Sequence, residues 1–94
     1  MSWSTIQIDD TLLRVNYEGE LKRKMKSGNW KTVENICNHI NGMNVFVVNK
    51  RQYTRSKIMG CLYYNLDINK KYICKFKDND RLNCNINNLR FISI

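Results

Sequence analysis

Residues 74–93, CKFKDNDRLNCNINNLRFIS, concentrate the side chains that could do chemistry. Asp78 and Asp80 offer carboxylate oxygens of the kind that hold a divalent cation. Asn83, Asn85, Asn87 and Asn88 crowd the positions that follow. Asparagine is costly to bury and poor in regular structure, so such a cluster either closes a loop or builds a site. Hydrolysis would also need a proton acceptor, and the single histidine, His39, belongs to another segment beside an apolar stripe. That setting points to packing or surface rather than to catalysis. The four cysteines, Cys37, Cys61, Cys74 and Cys84, contain no CxxC pair of the kind structural zinc uses. We expect buried free thiols, with no metal and no cofactor.

Charge is the other chemical signal. Sixteen Lys and Arg against eight Asp and Glu give the 94-residue chain a formal charge of +8. The bases fall in groups, at Lys22, Arg23, Lys24 and Lys26, then Lys50, Arg51, Arg55 and Lys57, then Lys70, Lys71, Lys75, Lys77 and Arg81. A small, strongly basic domain suits a polyanionic partner, because neutralised phosphates release their counterions. No basic segment is also a clean amphipathic helix, so a membrane surface is the weaker partner. No apolar run reaches the ~20 residues that cross a bilayer. The N-terminus MSWSTIQIDD lacks the parts of a signal peptide. The expectation is an intracellular protein.

The elements that must position these groups form one domain, residues 1–94, of α+β class. There is no proline and no repeat to mark a boundary. TLLRVNYEGELKRKM predicts a hairpin turning at Glu18 and Gly19, and SGN at 27–29 predicts a second turn. In WKTVENICNHINGMN, Val33, Ile36, Cys37 and Ile40 have helical spacing among weak helix formers, leaving 31–41 either a short helix or irregular. Val45–Val48 and the segment around Tyr53 predict a hairpin with a tight turn at Asn49 and Lys50. Residues 55–64 predict a helix burying Ile58, Cys61 and Leu62, with Met59 or Tyr63 at its edge. KYICKF and NLRFIS then predict two strands joined by the Asn-rich loop. The first 54 residues are thus hairpin-rich, and 72–94 form a closing unit.

This closing unit resembles the HNH homing-type endonucleases of phages, introns and large DNA viruses. Their signature runs approximately V-N-H-x-D-G-N-x-x-N-N-x-x-x-N-L-x-W, and residues 74–91 follow it without a gap. Asp78 falls on the turn-shaping aspartate, Asn83 on the first asparagine of the pair, and Asn88 and Leu89 on the N-L step, with Phe91 at the aromatic. SKIMGCLYY also looks like the helix written H-R-L-V-A-x-A-F, with Ser56 at its His, Lys57 at its Arg, Gly60 at its Ala and Tyr63 at its Phe. YEGELKR is similar to the turn S-N-x-G-x-V-x-S. The resemblance implies a ββ(α) unit whose asparagines fix a loop, holding a histidine base over a metal-bound phosphate.

The chain departs from that pattern where the chemistry sits. Phe76 occupies the position of the general base and cannot accept a proton. Lys75 occupies a neighbouring position that often ligates metal, and would repel a cation. The final ligand lies on a helix that would fall past Ile94. The resemblance therefore implies a catalytically inactive, HNH-like protein, with Asp78, Asn83 and Asn88 as structural loop residues. Lys22, Arg23, Lys24, Lys26, Lys50, Arg51, Arg55, Lys57, Lys75, Lys77, Arg81 and Arg90 are the expected phosphate contacts, chiefly on double-stranded DNA. One alternative is an active nuclease with a divergent site or one completed by another chain. Another is a self-associating structural protein that pairs through the apolar strand at 89–94. The abundance of Asn, Ile and Lys with no Pro suggests an AT-rich, viral or phage source. A viral protein of this kind would act in the nucleus, the viral factory or the virion.

Overall fold

The computed structural model describes residues 2–94. Residues 3–33 form an antiparallel meander of β1 (Trp3–Ile8), β2 (Thr11–Asn16), β3 (Leu21–Lys24) and β4 (Trp30–Val33). The expected first hairpin is β2–β3, and the SGN turn joins β3 to β4, with Met25 N donating to Asn29 O at 2.8 Å. The register opposes Ile6 to Leu13 and Val15 to Leu21, which gathers these apolar side chains on one face. On the other face, Thr5, Arg14, Lys22 and Thr32 form a row across all four strands.

The segment 31–41 resolves into the end of β4 and an irregular stretch, not a helix. Ile36 and Ile40 are exposed, so the helical spacing of the apolar residues buries no face. Side-chain amides bind this backbone instead. Asn38 exchanges two 2.8 Å hydrogen bonds with the backbone of Val45. The buried Asn44 donates to Glu34 O at 3.2 Å and to Ile36 O at 2.9 Å.

The second hairpin is β5 (Val45–Val48) and β6 (Arg51–Thr54). Asn49 and Lys50 have φ of 50° and 68°, as a type I′ turn demands of both central residues. Thr54 caps α1 (Arg55–Tyr63), its side chain accepting from Lys57 N at 3.2 Å. The helix buries Ile58 and Met59 completely, while Cys61 and Leu62 are only half-buried. That rotation from the expected stripe follows from packing on more than one side. Gly60 approaches Leu66 and Phe91, while β1 and β6 contact the helix elsewhere.

Strands β7 (Tyr72–Phe76) and β8 (Leu89–Ser93) pair antiparallel, and a 3-10 turn at Ile86–Asn88 leads into β8. One apolar cluster draws on all three sheets and α1, including Leu13, Val15, Leu21, Val48, Ile58, Met59 and Leu89. The architecture is α+β, with mostly antiparallel strands in small sheets and one α-helix among the described residues. No helix among them is long and apolar enough to cross a membrane. All four cysteines are free, but the expectation of burial fails at Cys37, which sits exposed in the irregular stretch. Burial raises the pKa of Cys61 and Cys74, and pushes Cys84, the one fully buried thiol, up to about 12.

Candidate nucleic-acid interface

The asparagine cluster forms a chain of side-chain-to-backbone turns. Asp78 accepts from Asp80 N at 2.8 Å, Asp80 from Leu82 N at 3.0 Å, Asn83 from Asn85 N at 3.3 Å and Asn85 from Asn87 N at 3.0 Å. Each Asx oxygen thus takes the N–H two residues on, which stabilises a loop that cannot use a ladder. Asn88 locks the ends together. Its Oδ1 accepts from Asp78 N at 3.0 Å, and its Nδ2 donates to Asp78 Oδ1 at 3.0 Å and Asn83 O at 2.8 Å. Asn83 Nδ2 donates to Asp78 Oδ2 at 2.7 Å.

These donors, Asn83 first, hold the Asp78 carboxyl below its ordinary pKa. A group depressed on folding adds stability above the usual carboxylate range and loses it as pH falls through the folded value. Asp78 is therefore committed to the loop through both oxygens. The loop in turn closes onto the β2–β3 turn and the irregular stretch that follows β4. Ile86 N donates to Tyr17 O at 2.8 Å, Asn35 Nδ2 to Leu82 O, and Arg81 Nη1 to Asn41 O at 2.9 Å.

Phe76, at the expected base position, lies opposite Leu89 and packs against the apolar core. Lys75 is exposed on the outer face of β7, directly opposite the exposed Arg90. His39 belongs to a turn, where its Nδ1 accepts from Asn41 N at 3.2 Å. Among the described residues, no three of His, Cys, Asp or Glu converge as they would to hold a metal ion.

Arg55 corrects the expected set of phosphate contacts. It is 1% exposed, and a phosphate cannot reach it. Its Nε donates to Asn44 Oδ1 at 3.1 Å, Nη1 to Gly19 O at 3.0 Å and Nη2 to Val33 O at 2.6 Å. Desolvation lowers its pKa, yet a guanidinium starts so high that it remains charged at neutral pH.

The other expected bases divide among several surfaces. Arg23 lies on the inner side of β3 and donates to Val47 O at 2.8 Å, tying the second hairpin to the sheet. With Lys24, Lys26 and Lys31 it lines an open groove of about 1170 Å³, which also contains Asp10 and Glu34. Arg51 and Lys57 line a smaller groove of about 400 Å³, together with Lys70 and Lys71. No Asp or Glu side chain lines this second groove. Lys57 Nζ sits 4.5 Å from the Tyr72 ring centroid and donates to Lys70 O, which places its charge at the groove edge. Lys22 stands over Trp3 on the outer face of the first sheet, while Lys50 and Lys77 are exposed in turns.

The sequence groups already contained Lys70 and Lys71, but not their meeting with Arg51 and Lys57, which depends on how β6 and α1 lie against the loop that precedes β7. Comparison with protein-family models, with curated proteins and with solved structures finds no match for the chain.

Proposed function

We propose that this protein binds the phosphate backbone of nucleic acid, with duplex DNA as the principal partner, and does not hydrolyse it. The groove lined by Arg51, Lys57, Lys70 and Lys71 carries this reading, because it sets four cationic side chains together with no Asp or Glu among them. A phosphodiester laid there gains charge-assisted hydrogen bonds and releases counterions. The first turn of α1 also lacks acidic residues, so the positive end of its dipole adds to the field. The resemblance to HNH nucleases supports the same partner, and Phe76 and Lys75 support retention without cleavage. In this reading the Asn-rich loop keeps the family's architecture and has lost its chemistry.

Self-association through β8 has its own support in Ile73 and Ile92, which oppose each other on the outer face, 48% and 39% exposed. The same face carries Lys75 opposite Arg90, and two stacked copies would set those charges against one another. We therefore prefer the polyanion.

The test is the salt dependence of duplex binding, followed by anisotropy of a labelled duplex. Each phosphate neutralised adds about −0.9 to the slope of log K against log salt. The variant Arg51→Ala/Lys70→Ala/Lys71→Ala should bind more weakly and lose about 2–3 from the magnitude of that slope. Lys57 is retained because it also packs on Tyr72. An unchanged slope would remove the groove from the interface.

A further inference from the structure

The outer face of the four-stranded sheet, turned away from the apolar core, holds both tryptophans of the chain. Trp3 lies on β1 and Trp30 on β4, with a basic layer between them. The Arg14 guanidinium carbon is 4.3 Å from the Trp30 ring centroid and 5.5 Å from that of Trp3. Lys22 Nζ is 4.9 Å from the Trp3 centroid. Arg14 and Lys22 are directly opposed across β2 and β3, and Lys24 is opposed to Trp30. The strand positions that point to this side include no Asp or Glu, although Lys24 and Thr32 at its edge also line the groove that contains Asp10 and Glu34.

Cation–π contacts stabilise this layer, but two of its features run against internal stability. Like charges directly opposite across strands weaken a sheet. Arg14 Nε is buried without a hydrogen-bond partner, so the guanidinium is held against the rings while a donor goes unused. Thr5, Lys24 and Thr32 on the same face are exposed, while both indoles are only half-buried. A surface with two indoles, a stacked guanidinium and two ammonium groups matches a ligand with planar π faces and a repeating negative charge.

We infer that this face is a stacking platform for the unpaired bases of a single-stranded nucleic acid. Bases stack on the indole and guanidinium planes, and Lys22 and Lys24 take the flanking phosphates. A duplex cannot offer the same contact, because its bases already stack within the helix. The site lies on a different element from the groove of Arg51, Lys57, Lys70 and Lys71, and it reads bases where that groove reads only phosphate.

Trp3 and Trp30 are the chain's only tryptophans, so their emission reports on this face alone. Titration with a thymidine oligonucleotide at low salt should quench that emission saturably. A strand of equal length built of abasic sites offers the same phosphates without bases. It should bind about tenfold or more weakly and leave the emission unquenched. Trp30→Ala and Trp3→Ala should each weaken binding of a labelled thymidine strand by about tenfold. The groove variant Arg51→Ala/Lys70→Ala/Lys71→Ala should keep the quenching, which separates this site from the phosphate groove. If a tryptophan variant fails to fold, the abasic comparison on the unaltered protein still decides. Failure of the thymidine strand to bind, equal affinity for the abasic strand, or unchanged emission on a saturated strand would overturn the assignment.

Discussion

Arg55→Ala should remove about 3–5 kcal/mol of stability, seen as a fall in the urea midpoint at unchanged slope. Arg55 opens α1, yet its guanidinium reaches the β2–β3 turn through Gly19 O, the end of β4 through Val33 O and the irregular stretch through Asn44 Oδ1. Truncation takes the shared donor away from these three acceptors, each of which costs about 1–3 kcal/mol if left unsatisfied. Relief from burying a cation offsets part of that loss, which keeps the net below the sum. A domain of this size has roughly 5–15 kcal/mol in all, so this loss is a substantial share of the total. Arg55→Lys keeps the charge but offers one nitrogen where the native side chain uses three, and should recover only part of the difference. A loss below about 1 kcal/mol for Arg55→Ala would mean that the guanidinium does not join these segments.

Gly19→Ala should be nearly as damaging, at about 2–4 kcal/mol, for two independent reasons. Gly19 has φ of +86°, where a side chain is strained. A Cβ there would also lie 2.7 Å from Cys84 O and 2.8 Å from Cys84 Cβ, and backbone cannot swing aside as a side-chain tip can. The Asn-rich loop would have to lift from the β2–β3 turn, loosening the bond from Ile86 N to Tyr17 O. Gly28→Ala is the matched control. Its φ is +92°, but no atom beyond its chain neighbours lies within 4 Å of the new Cβ, so only the backbone term of about 1 kcal/mol applies. The difference between the two variants measures the docking of the loop. Lifting should also open the buried Cys84 to thiol reagents, while the Gly28 variant leaves it closed. Equal losses at the two glycines, with Cys84 still protected, would contradict the packing described.

Local chemistry made the hairpins and the closing unit readable. Asn49 and Lys50 sit between β-branched runs, and the Asx spacing of residues 78–88 needs no distant partner to form its turns. The strand β4 was hidden because Val33, Ile36, Cys37 and Ile40 imitate a helical stripe. Hydrogen bonds from Asn38 and Asn44 override that period, and neither bond is visible in hydrophobic spacing. The strand β1 begins where polar Ser4, Thr5 and Gln7 dilute the alternation.

Arg55 was misplaced for a different reason. An arginine at the first helical position reads as a solvated base unless three carbonyl-type acceptors from distant segments are known to meet there. The basic groove and the tryptophan face depend on tertiary neighbours in the same way. Chain order separates Arg51 from Lys71, and Trp3 from Trp30, although the fold brings each pair to one surface.

Asp78 bears directly on the proposal of binding without hydrolysis. Both its oxygens already accept hydrogen bonds within the loop, and the nearby strand offers an aromatic ring at Phe76 and an ammonium at Lys75. A nucleic acid held at Arg51, Lys57, Lys70 and Lys71 would therefore meet no base poised beside its phosphates. The direct test is to incubate supercoiled plasmid with pure protein and magnesium, manganese or zinc, before and after stripping the protein. Retarded migration before stripping and intact supercoiled DNA after it is the expected result. Metal-dependent nicking that disappears in Asp78→Ala or His39→Ala would show instead that the protein is a nuclease.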